Sequence, residues 1–332
     1  MRFGIIGTNF ISDEFVRAGQ TVEGCEPFAV CSRTKERGKA FAEKHGIRRA
    51  VSSLEELAAM EEIDAVYIAT PNACHAAQAE RMLSAGKSVL VEKPAVPSAA
   101  AFSRLLTLAE EKGVVLMEGM RSVHTPGFHA LAQLLERIAP VRRVSISYCQ
   151  YSRRYDHFRE GIVENAFDPA LCNGALMDIG AYSVGELSAL FGMPQKVLSA
   201  GWKLRNGLDA MGEIVCVYDG MLADLSYGKI SDTRRASEIQ GEQGTILFYP
   251  PTNPSTVELI PRGGERRTIY SDPSADFFGM RYEIVDFLSF ARDPRGEGWK
   301  RYARYTLDAL RIMDAVRSEQ GIDFRRQGDT NP

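Results

Sequence analysis

The chain has 332 residues, enough at roughly 150 per domain for two domains with cores of their own. Apolar residues make up 45% and charged residues 25%, the balance of an ordinary globular protein and not of a disordered one. Lys plus Arg number 40 against 43 Asp plus Glu, and this net charge of −3 excludes the basic footprint of a dedicated nucleic-acid binder.

The chain begins Met1-Arg2-Phe3-Gly4-Ile5-Ile6-Gly7, a short apolar strand running into a glycine, without the apolar stretch of a signal peptide. No apolar run approaches the roughly 18–20 residues that span a bilayer. The first third then alternates short Val/Ile/Leu-rich runs with helical patterns. Phe3–Ile6, Phe28–Cys31, Ala65–Ala69, Val89–Val91 and Val114–Met117 read as strands buried on both faces of a parallel sheet. Ser53-Leu54-Glu55-Glu56 is a capping box at a helix start. Helices over 72–85 and 98–112 end at Gly86 and Gly113, which supply a left-handed closing residue. Such repetition implies right-handed crossovers and a doubly wound sheet.

After Pro126 the pattern changes. Val144, Ile146 and Tyr148 alternate with Ser145, Ser147 and Cys149, the period of a half-buried strand. Strands over 197–203, 212–219, 221–227, 234–240 and 244–249 follow, with Asp219-Gly220 as a hairpin turn, so the pairing is mainly antiparallel. One helix over about 180–191 interrupts them, helices over about 275–292 and 300–319 close the chain, and Pro250–Glu265 is the most loop-like stretch. The expected architecture is α/β followed by α+β. A Rossmann-type domain occupies 1–120, and an α+β domain with a large open sheet occupies 121–332, its final helices free to pack back on the first.

The six cysteines lie scattered without a C-x-x-C pair, and the five histidines lack ligand spacing. Buried reduced thiols, no structural metal and a cytoplasmic location are expected. Chemistry concentrates elsewhere. Gly7-Thr8-Asn9-Phe10-Ile11-Ser12 follows the first strand where a dinucleotide fold carries G-x-G-x-x-G, with Asn9 in the second glycine's place and Ser12 in the third's. Asn tolerates left-handed backbone better than most residues, and Ser is small. A tight turn without a ligand is the alternative. The second strand ends in Cys31-Ser32-Arg33-Thr34-Lys35-Glu36-Arg37 without the acid that binds the ribose 2′-hydroxyl of NAD. A hydroxyl and guanidinium groups suit the 2′-phosphate of NADP, which Arg clamps with two parallel hydrogen bonds. NADP(H) is therefore favoured over NAD(H), against a merely solvated first helical turn.

Three more stretches carry a resemblance: Ala69-Thr70-Pro71-Asn72-Ala73-Cys74-His75, Gly86-Lys87-Ser88-Val89-Leu90-Val91-Glu92-Lys93-Pro94, and Asn173-Gly174-Ala175-Leu176-Met177-Asp178-Ile179-Gly180-Ala181-Tyr182. In this order, behind a nucleotide fold, they closely resemble the Gfo/Idh/MocA oxidoreductase family. The resemblance implies that backbone amides from Gly7, Thr8, Asn9, Phe10 and Ile11 cradle the pyrophosphate. It places Thr70, Asn72, His75 and Lys93 at the ribose and nicotinamide side, with Pro71 and Glu92 beside them as candidates, while Ser32, Arg33 and Arg37 are the cofactor candidates read from the second-strand turn itself. Lys93, often joined to its proline by a cis bond in this family, Asp178 and Tyr182 are the expected catalytic residues.

The chemistry asks for the same residue types. Hydride transfer at a carbinol carbon requires proton movement at its oxygen. A tyrosine hydroxyl, with an ordinary pKa of about 10, serves once a neighbouring ammonium favours the phenolate. Packing of Tyr182 and solvation of Lys93 are the bland alternatives. Many relatives carry His where Tyr182 stands, so the resemblance favours a sugar or cyclic diol over inositol. Arg121 replaces a common aromatic, and it either contacts cofactor or substrate or pairs with an acid such as Glu118. His124, Arg153 and Arg154 are candidates for substrate contact, the last two in a loop rich in Arg and aromatics. His124 and His129 share a helix face too poorly for a metal pair.

The expected function is an NADP-dependent oxidoreductase acting on a sugar, cyclic polyol or vicinal diol. A nucleotide-sensing regulator without turnover and an imine or tetrapyrrole reductase are the rivals. A homodimer or homotetramer through the open sheet is expected, with neither nucleic acid nor membrane as partner.

Overall fold

The computed structural model describes residues 1–273 and 279–324. The chain forms two compact units, Met1–Met120 with Phe278–Leu307, and Arg121–Phe277 with Asp308–Pro332.

The first unit runs β1 (Arg2–Ile6), α1 (Phe10–Gln20), β2 (Glu26–Cys31), α2 (Lys35–His45), β3 (Arg49–Val51), α3 (Leu54–Ala58), β4 (Ala65–Ile68), α4 (Asn72–Ser84), β5 (Ser88–Glu92), α5 (Ala99–Lys112) and β6 (Leu116–Gly119). Its six strands pair in parallel in the order β3-β2-β1-β4-β5-β6. Winding reverses between β1 and β4, so ligands of this sheet sit outside the carboxyl ends of those strands. β4 is buried at every position because helices cover both faces, and its Val66 and Ile68 are fully enclosed. The helix ends follow local chemistry. Ser53 accepts the amides of Glu55 and Glu56 at 3.1 and 3.3 Å and donates its hydroxyl to Glu55, so it is Glu55 that binds the serine. Gly113, at φ 65°, closes α5 in the left-handed region. Three-residue β3 was too short to show a period.

The second unit holds α6 (Pro126–Ile138), β7 (Val141–Cys149), α7 (Arg153–Arg159), α8 (Ala181–Phe191), β8 (Lys196–Lys203), β9 (Asp209–Tyr218), β10 (Met221–Gly228), β11 (Ser237–Gly241), β12 (Gly244–Tyr249), β13 (Thr256–Pro261) and β14 (Arg267–Ser271). These strands form one sheet in the order β14-β13-β12-β11-β7-β10-β9-β8, antiparallel except for the parallel β7–β10 pair. α6 packs on β12 and β13, and α8 on β7 and β10.

Two stretches differ from expectation. β13 lies inside the segment read as loop, because its alternation of buried Val257 and Leu259 is masked by flanking prolines and glycines. The Arg-rich stretch expected as a loop is the helix α7, with Phe158 as its buried anchor. α9 (Met280–Arg292) and α10 (Gly298–Gln320) follow. The helix expected from 275 is observed from Met280, its first residues lying outside the described ones. α9 belongs with the first unit, where Phe287 packs on Phe3 at a ring distance of 5.7 Å. The six cysteines are free thiols, and burial pushes Cys31 up to about 11 and Cys25 and Cys216 to about 12. No described helix is long and apolar enough to cross a membrane.

Glu186 on α8 is fully buried, and neither carboxylate oxygen has a hydrogen-bond partner among the described residues. Burial penalises the charged form and holds this carboxyl well above 4.5. The native state therefore keeps a proton that the unfolded chain releases, and stability falls as pH rises above 4.5 through the higher folded value. Glu186→Met removes that dependence and stabilises the protein by about 1–3 kcal/mol. Urea midpoints at pH 6 and pH 8 check this, the gain being larger at pH 8.

Candidate active site

The turn after β1 is built for close approach. Gly7 has φ 113°, and a Cβ there would lie 2.4 Å from the Ala69 carbonyl oxygen, so only glycine fits. Asn9 caps α1: its Oδ1 accepts the amides of Ile11 and Ser12 at 3.0 and 3.1 Å, and its Nδ2 donates to Ala69 O at 2.8 Å. The asparagine thus ties the turn to the end of β4, where a glycine would leave both groups open. The Gly7 amide donates to Cys31 O at 3.1 Å and the Ile11 amide to Asn9 Oδ1 at 3.0 Å. Phe10 heads α1 with its ring exposed.

At the end of β2, Ser32 is buried over Gly38, and its amide donates to Val51 O at 3.1 Å. Thr34 caps α2 through the Arg37 amide. Arg33 and Arg37 are exposed and have no ion-pair partner among the described residues. A hydroxyl and two guanidinium groups here fit a 2′-phosphate, and the Gly7 cradle fits a dinucleotide.

Lys93 closes β5, joined to Pro94 by a cis bond. Its own amide donates to Glu92 Oε2 at 3.2 Å, while Glu92 Oε1 accepts the Tyr67 hydroxyl at 2.6 Å. Ala95, one residue beyond the proline, donates its amide to Glu118 Oε1 at 2.8 Å, and Thr306 donates to Glu118 Oε2 at 2.9 Å. Burial raises the Glu118 pKa, with these donors opposing it. His75 is fully buried, its ring nitrogens 3.0 Å from Pro94 O and 2.8 Å from Thr70 O. Burial lowers its pKa against the pull of those carbonyls. The enclosed ring clips the Thr70 turn to the Lys93-Pro94 turn. Thr70 donates its hydroxyl to Gln78 Oε1 at 2.6 Å, Pro71 stands at the cap position of α4, and Asn72 is its first residue.

In the second unit, Leu176–Gly180 forms one π-helical turn that runs into α8 and carries Asp178, with Tyr182 in the next turn. A residue that sequence reasoning missed holds its start. Asp209 at the head of β9 is 1% exposed and accepts the Leu176 amide at 2.6 Å. Gly174, at φ 135°, makes room: a Cβ there would lie 2.0 Å from Asp209 Oδ1. Burial raises the Asp209 pKa, opposed by the backbone amides and by the Lys229 charge. Lys229 Nζ lies 2.8 Å from Asp178 Oδ2. The Tyr182 ring is buried, edge-on to Tyr148 at 5.8 Å, with the Arg121 guanidinium 5.2 Å from its centroid. Arg121 also donates to Thr252 O at 3.4 Å. His124 is buried in the short helical turn Arg121–His124. Arg153 and Arg154 are exposed on α7, Arg154 facing Glu164 at 3.4 Å.

A parallel sheet with a glycine-tight turn at its switch point in one unit, and in the other an open, mainly antiparallel sheet packed by the helical segments that carry Asp178 and Tyr182, define a dinucleotide-dependent oxidoreductase architecture. Residues 1–120 match the GFO_IDH_MocA model, an oxidoreductase family with an NAD-binding Rossmann fold. The chain is 41% identical over 325 residues to scyllo-inositol 2-dehydrogenase (NADP(+)) of Bacillus subtilis, covering 98% of each chain. It is 32% identical over 268 residues to human trans-1,2-dihydrobenzene-1,2-diol dehydrogenase, covering 79% of this chain and 78% of the relative. Among solved structures, a 3-ketoreductase from Actinomadura kijaniata with NADP and TDP-benzene superposes with a TM-score of 0.84 at 23% identity, over 96% of this chain and 97% of that one. The protein belongs to the Gfo/Idh/MocA oxidoreductase family.

Gly174→Ala drives a methyl group into the Asp209 carboxylate and strains the backbone, at a cost of about 1–3 kcal/mol. A thermal melt reads the loss. Asp209→Asn, which keeps an oxygen for the Leu176 amide, is milder.

Proposed function

We propose that the protein is an NADP(H)-dependent oxidoreductase that moves a hydride between the nicotinamide and a carbinol or carbonyl carbon of a cyclic polyol, sugar or vicinal diol. The observation that carries this reading is the full-length likeness to a scyllo-inositol dehydrogenase, in a chain that keeps Lys93, Asp178 and Tyr182. The preference against inositol drawn from Tyr182 is withdrawn, since that relative matches more of the chain, at higher identity, than the diol dehydrogenase does. The bound cofactor supplies the hydride donor or acceptor.

The chain's own residues do the rest. Thr8 and Asn9 meet the pyrophosphate, Arg33 and Arg37 take the 2′-phosphate, and Thr70, Asn72 and Glu92 shape the nicotinamide side. The Tyr182 hydroxyl accepts the substrate proton during oxidation and returns it during reduction, and Lys93 is the second residue of the proton chemistry. Asp178 orients the substrate hydroxyls. Arg121 supports Tyr182 from its ring face, and His124, Arg153 and Arg154 are left as candidates for substrate contact. No observation on either unit favours the sensor or the imine and tetrapyrrole readings.

Incubation with NADP⁺ and scyllo-inositol is expected to generate NADPH absorbance, and silence over inositols, aldoses and diols would sink the proposal. Lys93→Ala abolishes turnover while NADPH affinity stays within about tenfold, as expected of a group that acts mainly in the transition state. Arg33→Ala weakens NADPH far more than NADH in calorimetric titrations, and an equal loss for both contradicts the 2′-phosphate role.

The open face of the second unit's sheet is the proposed dimer contact. Leu198 and Trp202 on β8 pair with Val215 and Met211 on β9, so all four share one face with Leu222 on β10. Each is between 37% and 54% exposed, and this concentration of exposed apolar side chains, with Glu213 and Asp224 on the same face, is the feature that supports a protein contact there. Trp202→Asp with Leu222→Asp is expected to turn a dimer or tetramer into a monomer by light scattering.

A further inference from the structure

Asp178 is held by a residue that no motif marks. Lys229 follows directly on β10, its side chain is 3% exposed, and its Nζ lies 2.8 Å from Asp178 Oδ2, whose own side chain is 38% exposed. The ammonium also donates to Ala166 O at 3.2 Å and lies 5.0 Å from the Phe167 ring centroid. Its backbone is clamped on both sides: the amide donates to Ala210 O, and the carbonyl accepts the Ser152 amide, each at 2.9 Å. Ala210 neighbours Asp209, so two adjacent strand ends grip one helical turn, Asp209 at the Leu176 amide and Lys229 at the Asp178 carboxylate.

Burying an ammonium is a poor means of stabilising a fold, because an apolar side chain of similar volume often does as well or better. A buried cation that leaves its carboxylate partner partly exposed instead fixes the direction of that carboxylate. We infer that Lys229 is a positioning residue of the reacting centre: it pins Oδ2 of Asp178 and thereby sets where the carboxylate points and keeps a fixed positive charge behind it. The inference rests on the reading of Asp178 as a substrate-orienting group.

The test uses four variants of the full chain, Lys229→Met, Lys229→Gln, Asp178→Asn and the double variant Asp178→Asn/Lys229→Met. They are assayed with scyllo-inositol and NADP⁺, with NADPH affinity and melting temperature measured alongside. Lys229→Met is expected to lower kcat by roughly 10–100-fold, the usual effect of removing the partner that orients a site residue. KM and the NADPH Kd stay within about threefold, and Lys229→Gln, which donates a hydrogen bond without charge, falls between. On the Asp178→Asn background the lysine change costs less than about twofold more, since both act through one carboxylate. A crystal structure of Lys229→Met is expected to show the Asp178 carboxylate turned from its present direction. Wild-type kcat in Lys229→Met beside an impaired Asp178→Asn overturns the inference alone. So does a lysine effect of undiminished size in the double variant, or loss of folding in both lysine variants, which marks a purely structural role. Wild-type turnover in Asp178→Asn defeats the reading of Asp178 itself, and the inference with it.

Discussion

A carboxylate cut off from water sets the geometry of the second unit. Asp209 meets the first amides of the Leu176 turn through the gap left by Gly174, and no side chain larger than hydrogen fits there. A buried acid costs less with donors aimed at it. Helix-start amides are such donors, and they carry part of the helix dipole. The result is mutual: the acid needs the helix start, and the helix start is fixed to the sheet. Asp178 and Tyr182 inherit their places from that bond.

The first unit solves a similar problem with backbone instead of helix. Lys93 sits on a turn whose neighbouring groups are all engaged, by Glu92 at its own amide, His75 at the Pro94 carbonyl and Glu118 at the Ala95 amide. Glu118 and His75 are both fully enclosed, so their polar atoms stay on these partners rather than exchanging with water. A lysine on a flexible stem gains precision when the backbone beneath it cannot move. The Asn9 turn works in the same way. The glycine of the common fingerprint leaves amides free for a phosphate, whereas Asn9 takes two of them itself and narrows the approach to the turn's apex.

The two faces of the second unit's sheet divide the labour. Inward-pointing Ile214, Cys216, Leu225, Val144 and Ile146 are buried under the helices. The opposite face is apolar toward β8 and polar toward β7, where Arg143 pairs with Asp224 at 2.8 Å and Ser145 donates to the same acid. An edge of ion pairs beside an apolar patch favours one register for whatever covers it.

Much of this was legible along the chain. The strands of the first unit announced themselves as short β-branched runs, and Ser53, Ser98, Gly86 and Gly113 marked helix ends, because capping is a matter of neighbours in sequence. Lys93, Asp178 and Tyr182 stood out through motif and spacing. β13 and α7 did not, since one is framed by turn residues and the other has the composition of a surface loop. The roles of Asp209, Lys229, Glu118 and His75 were beyond any local pattern: the Leu176 turn lies 33 residues from Asp209, and Glu118 is 188 residues from Thr306. By itself the sequence determined where most strands and helices form and which residue types are the candidates for proton chemistry, because periodicity and side-chain type are local properties. Only the tertiary structure decided which polar groups are buried, and with whom, because desolvation depends on everything the fold brings near.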